Sequence, residues 1–246
     1  MPEDEIVRVK THVERLDRYL EGGVPKGTVS LICGTAGCMK SSLVYSILYN
    51  NAKKENRKGL YITFEQDIKS LLQHMKTLNM GESENLLLED YDIVERRLRE
   101  GMKEKIKFEQ NWIKLLEGYV EETKEKEGYE LLVIDSLDAL YALTTIENPR
   151  RELHHFFRML RGTGVTSFLI SEMQRDTSTY SRYGVEEFLS DAIIHLDYQK
   201  VGPTAASMER FVSIVKMRST NHSRECLPLL YSGDKFRIYT KEDLEL

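Results

Sequence analysis

Short apolar runs separated by longer amphipathic stretches dominate the first 170 residues. Val29 to Cys33, Leu60 to Phe64, Leu131 to Ile134 and Val165 to Ile170 are each four to six residues long and apolar almost without interruption. Such runs predict strands covered on both faces, as in a parallel sheet. Helical spacing fills the intervals. One helix starts near Leu43 and runs to about Glu55, with Asn56-Arg57-Lys58-Gly59 as a basic end and glycine stop; another runs from about Asn148 to Arg161 and closes at Gly162-Thr163-Gly164. Strand, helix and strand in succession imply right-handed crossovers, and ligands of such sheets gather at the carboxyl ends of the strands.

The remainder follows other rules. Residues 67–128 are highly charged and helix-compatible, with breaks at Gly81 and Gly101, and the stretch of about 81–128 reads as a charged helical segment. Within it Glu104 to Lys126 alternates charges around Trp112, Ile113, Leu115, Leu116 and Val120, the pattern of a solvated amphipathic helix. The last third turns to β patterning: Asp191 to Asp197 and Glu209 to Met217 read as strands, and Leu229–Tyr231 and Phe236–Tyr239 as a hairpin around Ser232-Gly233-Asp234-Lys235. The expected fold is therefore α/β, a mostly parallel central sheet flanked by helices with C-terminal β-hairpins over about 191–240. Its length of 246 residues suits one domain, residues 1–246.

Composition narrows the class. Hydrophobic residues at 41% and charged residues at 30% describe a soluble globular chain, and no apolar run approaches the roughly 20 residues of a membrane helix. With the acidic start Met1-Pro2-Glu3-Asp4-Glu5, this leads to an expectation of cytoplasmic localisation and no membrane partner. A net charge of −5 argues against a surface built mainly for nucleic acid, although a local basic channel stays open. Cys33, Cys38 and Cys226 lack metal-type spacing, and the adjacent His154 and His155 point to different faces of a helix.

Chemistry concentrates after the first strand. Gly34-Thr35-Ala36-Gly37-Cys38-Met39-Lys40-Ser41-Ser42 joins that strand to a helix and matches the nucleotide-binding pattern G-x-x-x-x-G-K-[ST] except at Met39, which replaces its second glycine. Unpaired N–H groups and the positive end of the helix dipole converge there on a phosphate position. Lys40 is placed to reach terminal phosphates and Ser41 to ligate Mg²⁺. Methionine fits if the residue before the lysine keeps a negative φ, because only positive φ demands glycine. The bland alternative is a turn whose lysine snorkels. A second signal is Asp135, which ends the third apolar run and suits Mg²⁺ support beside a nucleotide; an N-cap or loop carboxylate is its plainer reading. Glu65 ends the second run at the same functional edge. The polar, tyrosine-bearing stretch Gln174 to Tyr183 is either a lid or effector loop or an ordinary surface loop.

Together, Gly22-Gly23-Val24-Pro25-Lys26-Gly27, the phosphate loop, Phe64-Glu65, Ile134-Asp135-Ser136, Tyr183-Gly184-Val185-Glu186-Glu187-Phe188-Leu189-Ser190-Asp191 and Lys216-Met217-Arg218 resemble, in order, one KaiC-type domain of the RecA-like P-loop ATPases. The resemblance spans residues from about 10 to 225. It implies ATP and Mg²⁺ as cofactors, phosphate binding by residues 34–42, metal support by Ser41 and Asp135, and Glu65 as the base that orients water. The family usually carries two adjacent carboxylates where this chain has Glu65-Gln66. The resemblance also implies that Lys216 and Arg218 address the γ-phosphate held by a neighbouring copy in a ring, usually a hexamer. Residues i and i+2 of a strand share a face, which lets both cations meet one target; exposed edge-strand charges are the alternative. Glu187-Phe188 stands where the autophosphorylated domain carries serine and threonine, which argues against autokinase activity.

Three functions compete on these residues. The first is a ring ATPase with a regulatory or conformational output and an unidentified protein partner. The second is a nucleotide-sensing scaffold in which Met39 and Gln66 have weakened hydrolysis. The third is a DNA-associated accessory ATPase, which rests on fold-level likeness and is opposed by the acidic balance.

Overall fold

A computed structural model describes residues 6–101, 111–174, 178–201 and 207–239. Strands β1 (Arg8–Val9) and β2 (Val24–Pro25) pair antiparallel as a small ribbon, with the short 3₁₀ turn Leu16–Leu20 between them. The main sheet then builds from β3 (Val29–Gly34), helix α1 (Lys40–Lys54), β4 (Gly59–Thr63), α2 (Ile68–Thr77), β5 (Leu86–Asp90), α3 (Tyr91–Gly101), α4 (Trp112–Glu127), β6 (Leu131–Asp135), α5 (Leu137–Ala142), α6 (Pro149–Gly162) and β7 (Thr166–Glu172). It closes with α7 (Glu186–Leu189), β8 (Ala192–Val201), β9 (Ser207–Met217), β10 (Cys226–Ser232) and β11 (Lys235–Ile238). Among the described residues nine strands lie in the order β11-β10-β9-β8-β3-β7-β6-β4-β5. The run from β8 to β5 is parallel, and β9, β10 and β11 extend it antiparallel.

The sheet carries two apolar layers because successive side chains point to opposite faces. Ile32, Tyr61, Val133, Phe168 and Ile170 pack with Leu43, Val44, Ile47 and Leu48 of α1 and with Leu71 and Met75 of α2. Leu31, Leu60, Ile62, Leu132, Ile134 and Leu169 face α3, α4, α5 and α6 through Val94, Leu116, Leu140 and Phe156. Each fully buried aliphatic side chain contributes about 2 kcal/mol, so the central strands anchor everything attached to their ends. Local chemistry sets the helix ends. Asp67 caps α2 by accepting from Ser70 N at 2.8 Å, Asn148 caps α6 ahead of Pro149, and Gly128 closes α4 at φ 70°.

The expected strands all form, and two details differ. Residues 67–128 are not helix throughout: Leu86–Asp90 pairs in parallel with β4 as the edge strand. Its charged end, with Glu89 pointing inward to Arg97 and Tyr119, masks the apolar signal. The expected glycine stop after α1 is supplied by Asn56 at φ 53°, whereas Gly59 begins β4, where an added Cβ would meet Leu86 and Leu48. The amphipathic helix begins at Trp112 and buries Trp112, Ile113, Leu116 and Val120, while the part of that expectation over residues 104–110 lies outside the described residues. So do residues 175–177 of the tyrosine-bearing loop, 202–206 between β8 and β9, and 240 at the end of the hairpins. No helix among the described residues is long and apolar enough to cross a membrane.

Candidate nucleotide site

The carboxyl end of β3 turns into α1 through Thr35 to Met39, and backbone packing dictates that turn. Gly34 has φ 154°, a conformation that L side chains rarely adopt, and a Cβ there would stand 2.2 Å from Leu196 O of β8 and 2.8 Å from Cys38 Sγ. Backbone conformation and the close approach of β8 both require glycine. Gly37 takes φ 85°, and the Tyr198 hydroxyl donates to its carbonyl at 3.2 Å, tying the loop to β8. Met39 contradicts the expectation of negative φ: it lies at φ 69°, ψ 33°, the left-handed region. The missing glycine therefore sits where the pattern needs one, at a cost of about 1 kcal/mol, offset by packing of Met39 against the buried core. Lys40, 8% exposed, donates through Nζ to Gly34 O at 3.0 Å and Thr35 O at 3.1 Å. The loop thus closes on its own lysine. Cys38 Sγ contacts Thr35 O at 2.9 Å, and burial raises its thiol pKa.

Carboxylates gather at the neighbouring strand ends. Asp135 is buried at the end of β6 and accepts from the Tyr61 hydroxyl at 2.5 Å, with the Ser41 hydroxyl facing the same pair. Burial pushes its pKa up to about 6, against the opposing pull of the Tyr61 and Ser41 hydroxyls. Ser41 and Asp135 thus form a compact oxygen-donor pair beside Lys40, the hard-ligand chemistry that Mg²⁺ takes. Glu65, just past β4, is exposed and accepts a hydrogen bond from the Ser136 hydroxyl, and Gln66 beside it is half-buried. Asp138, in the first turn of α5, accepts from Glu172 N at 2.7 Å and Ser171 Oγ at 3.4 Å. Burial raises the pKa of both Asp138 and Glu172, and the Glu65 charge adds to each.

Lys216 and Arg218 are elsewhere. Lys216 Nζ donates to Glu187 O at 2.9 Å and Ser190 O at 2.6 Å; Arg218 donates to Asp191 Oδ1 at 2.8 Å and Phe188 O at 3.4 Å. Both reach one turn, as shared facing predicts, although the register shifts between Ile193 and Ile194 leave Val215 as an extra residue in β9. Asp191 holds this corner together. Its carboxylate also accepts from Arg161 Nε at 2.9 Å and Val29 N at 3.0 Å. Backbone bonds run Arg218 N to Asp191 O and Asp191 N to Val29 O, which sets Arg218 level with the start of β3. Gly34 lies five residues further along that strand, about 17 Å away at its rise per residue.

Sequence reasoning thus named residues that the fold divides between two ends of the sheet. Gly34 to Ser42, Glu65 and Asp135 share the carboxyl end; Lys216 and Arg218 occupy the amino end. It passed over Tyr61, Ser136, Asp138, Glu172 and Tyr198. A polar residue ending an apolar strand could have marked Glu172, but nothing local marks Tyr61 or Tyr198, whose roles come from register. A recess of about 940 Å³ opens between α4, α5 and α6, and no phosphate-loop residue lines it. We assign the chemistry to the phosphate loop, where the donors converge. Among the described residues no group of three or more His, Cys, Asp or Glu is disposed to hold a metal without a ligand's help.

Residues 9–243 match a family model described as ATPase: KaiC. The circadian clock protein KaiC2 of Synechocystis sp. is 27% identical over 228 residues, covering 92% of this chain and 39% of that protein. A circadian clock oscillator protein KaiC of Picosynechococcus sp. is 26% identical over 235 residues, covering 95% of this chain and 45% of that protein. The chain therefore spans about two-fifths of the length of these curated relatives. A solved KaiC-like protein from Pyrococcus horikoshii superposes with a TM-score of 0.77 at 26% identity, covering 96% of this chain and all of that one.

Proposed function

The chain belongs to the KaiC family of RecA-like P-loop ATPases, and from that premise we propose that it hydrolyses ATP at the seams between copies in a hexameric ring. The separation of the two ends of the sheet carries this reading: Arg218 is about 17 Å along β3 from its own phosphate loop and held there by Asp191. Lys216 and Arg218 serve a nucleotide only if a second copy brings its loop to them. A head-to-tail contact of this kind closes into a ring.

The residues then have distinct tasks. Backbone N–H groups of residues 35–42 cradle the phosphates, and Lys40 exchanges the Gly34 and Thr35 carbonyls for phosphate oxygens. Ser41 and Asp135 would hold Mg²⁺, which when bound neutralises charge on the phosphate oxygens. Glu65, fixed by the Ser136 hydroxyl, orients the attacking water; Gln66 offers no second carboxylate. Lys216 and Arg218 of the adjoining copy stabilise the charge that develops on transfer. Glu187 and Phe188 carry no hydroxyl to accept a phosphoryl group, which argues against self-phosphorylation at these two positions. In this reading residues 1–246 form one ATPase domain, acting in the cytoplasm on a regulatory protein partner.

Light scattering on a sizing column, with and without Mg²⁺-ATP, combined with phosphate release from each fraction, tests the proposal. A species of six copies that alone shows turnover is the expected result. Nucleotide-bound single copies, whether active or not, would refute it, and an inert ring would move the weight to a sensing scaffold.

A further inference from the structure

Phe188 is 68% exposed, the most exposed large apolar side chain among the described residues. Single exposed apolar residues need no explanation in themselves. This one differs in how rigidly it is presented. Its neighbours fix α7 from within: Glu186 is fully buried beside Tyr141, Leu189 packs on the core, and the Glu187 carboxylate accepts from Tyr180 N and from Ser181 Oγ. From outside, Lys216 holds the carbonyl of Glu187 and Arg218 that of Phe188. The ring of Phe188 is thus aimed at solvent from the turn that carries both cations.

An exposed aromatic side chain beside an arginine is a composition that interface centres favour. The chain itself supplies a complementary surface. At the carboxyl end of the sheet, in addition to burial, the Glu65 charge raises the pKa of both Asp138 and Glu172, against the pull of Arg182 on the first and Lys40 on the second, so three carboxylates outnumber the cations beside them. At the amino end Lys216, Arg218 and Arg161 surround α7, and the one carboxylate of Asp191 is shared by both arginines, which leaves positive charge in excess. Opposite charge on opposite ends favours head-to-tail association of identical copies and disfavours like ends.

Building on the ring reading above, we propose that Phe188 is the apolar anchor of the contact between copies: it seats on the acidic carboxyl-end edge of the next copy and so delivers Lys216 and Arg218 to that copy's nucleotide. The occupant of this surface is a second copy of the chain. Phe188 touches no reacting atom, and its effect on turnover passes through assembly.

The test compares the parent chain with Phe188→Asp, Phe188→Ala and Phe188→Leu, measuring molar mass by light scattering across protein concentrations in Mg²⁺-ATP. ATP binding and Tm are measured on dilute single copies. The half-assembly concentration should rise at least about tenfold in Phe188→Ala and further in Phe188→Asp, and Phe188→Leu should restore most of the assembly. ATP affinity and Tm of the single copies should stay at parent values. Parent-like assembly of Phe188→Asp would overturn the anchor, as would a loss of assembly that tracks a fallen Tm in every variant. A parent that stays at the mass of one copy would instead refute the ring reading, before any variant is compared.

Discussion

The two ends of the central sheet solve different problems with different materials. At the carboxyl end a phosphate position is made almost wholly from backbone: Gly34 admits β8, Gly37 and Met39 take left-handed φ, and Lys40 is already inside the turn. At the amino end charged side chains do the work. Asp191 gathers Arg161, Arg218 and Val29 N into one corner, and Lys216 grips the carbonyls of α7. The first end is a complete cradle for an anion. The second is a pair of cations whose own phosphate loop lies at the other end of the sheet. On the proposed ring reading, each end of the sheet would supply half of an active site.

The sharpest way to break this contrast is Arg218→Ala. If the amino end serves a neighbour's nucleotide, turnover should fall about 10³-fold or more while ATP binding is retained, as phosphate release and nucleotide binding measured together would show. Glu65→Gln probes the other end: kcat should drop on the order of 10² to 10³-fold with ATP still bound and the ring intact. Asp191→Asn separates support from chemistry. Loss of the charged acceptor should lower stability by roughly 2 kcal/mol in a denaturant titration, since Arg161 and Arg218 are only partly buried. Met39→Gly should have the smallest effect. Relief of left-handed strain, about 1 kcal/mol, is nearly offset by the greater freedom of the unfolded chain, so Tm should move by no more than a few degrees.

The same contrast explains what was legible in the sequence. The carboxyl end is local: strand, glycine loop and helix are contiguous, so Gly34, Lys40 and Ser41 announce themselves, and Asp135 and Glu65 stand at the ends of apolar runs. The dihedral of Met39 was not legible, because a pattern cannot show whether a replaced glycine kept its φ. The edge strand Leu86–Asp90 escaped because its last two residues are acidic and its inward Glu89 is satisfied by Arg97 and Tyr119 from two helices further along. The amino end is assembled from Val29, Arg161, Asp191 and Arg218, which only the register of β3, β8 and β9 brings together. Periodicity marked those strands but not which neighbour each would find.

Mixing two inactive variants tests the central claim most directly. Glu65→Gln copies keep Lys216 and Arg218 but cannot orient water, and Arg218→Ala copies keep the phosphate loop and Glu65. In randomly mixed 1:1 rings about one seam in four would combine an intact loop with an intact neighbouring arginine. The account predicts that phosphate release reappears on mixing, at about a quarter of the parent rate, although each variant alone is nearly inert. A mixture no more active than its separate components would show that no copy completes the site of another.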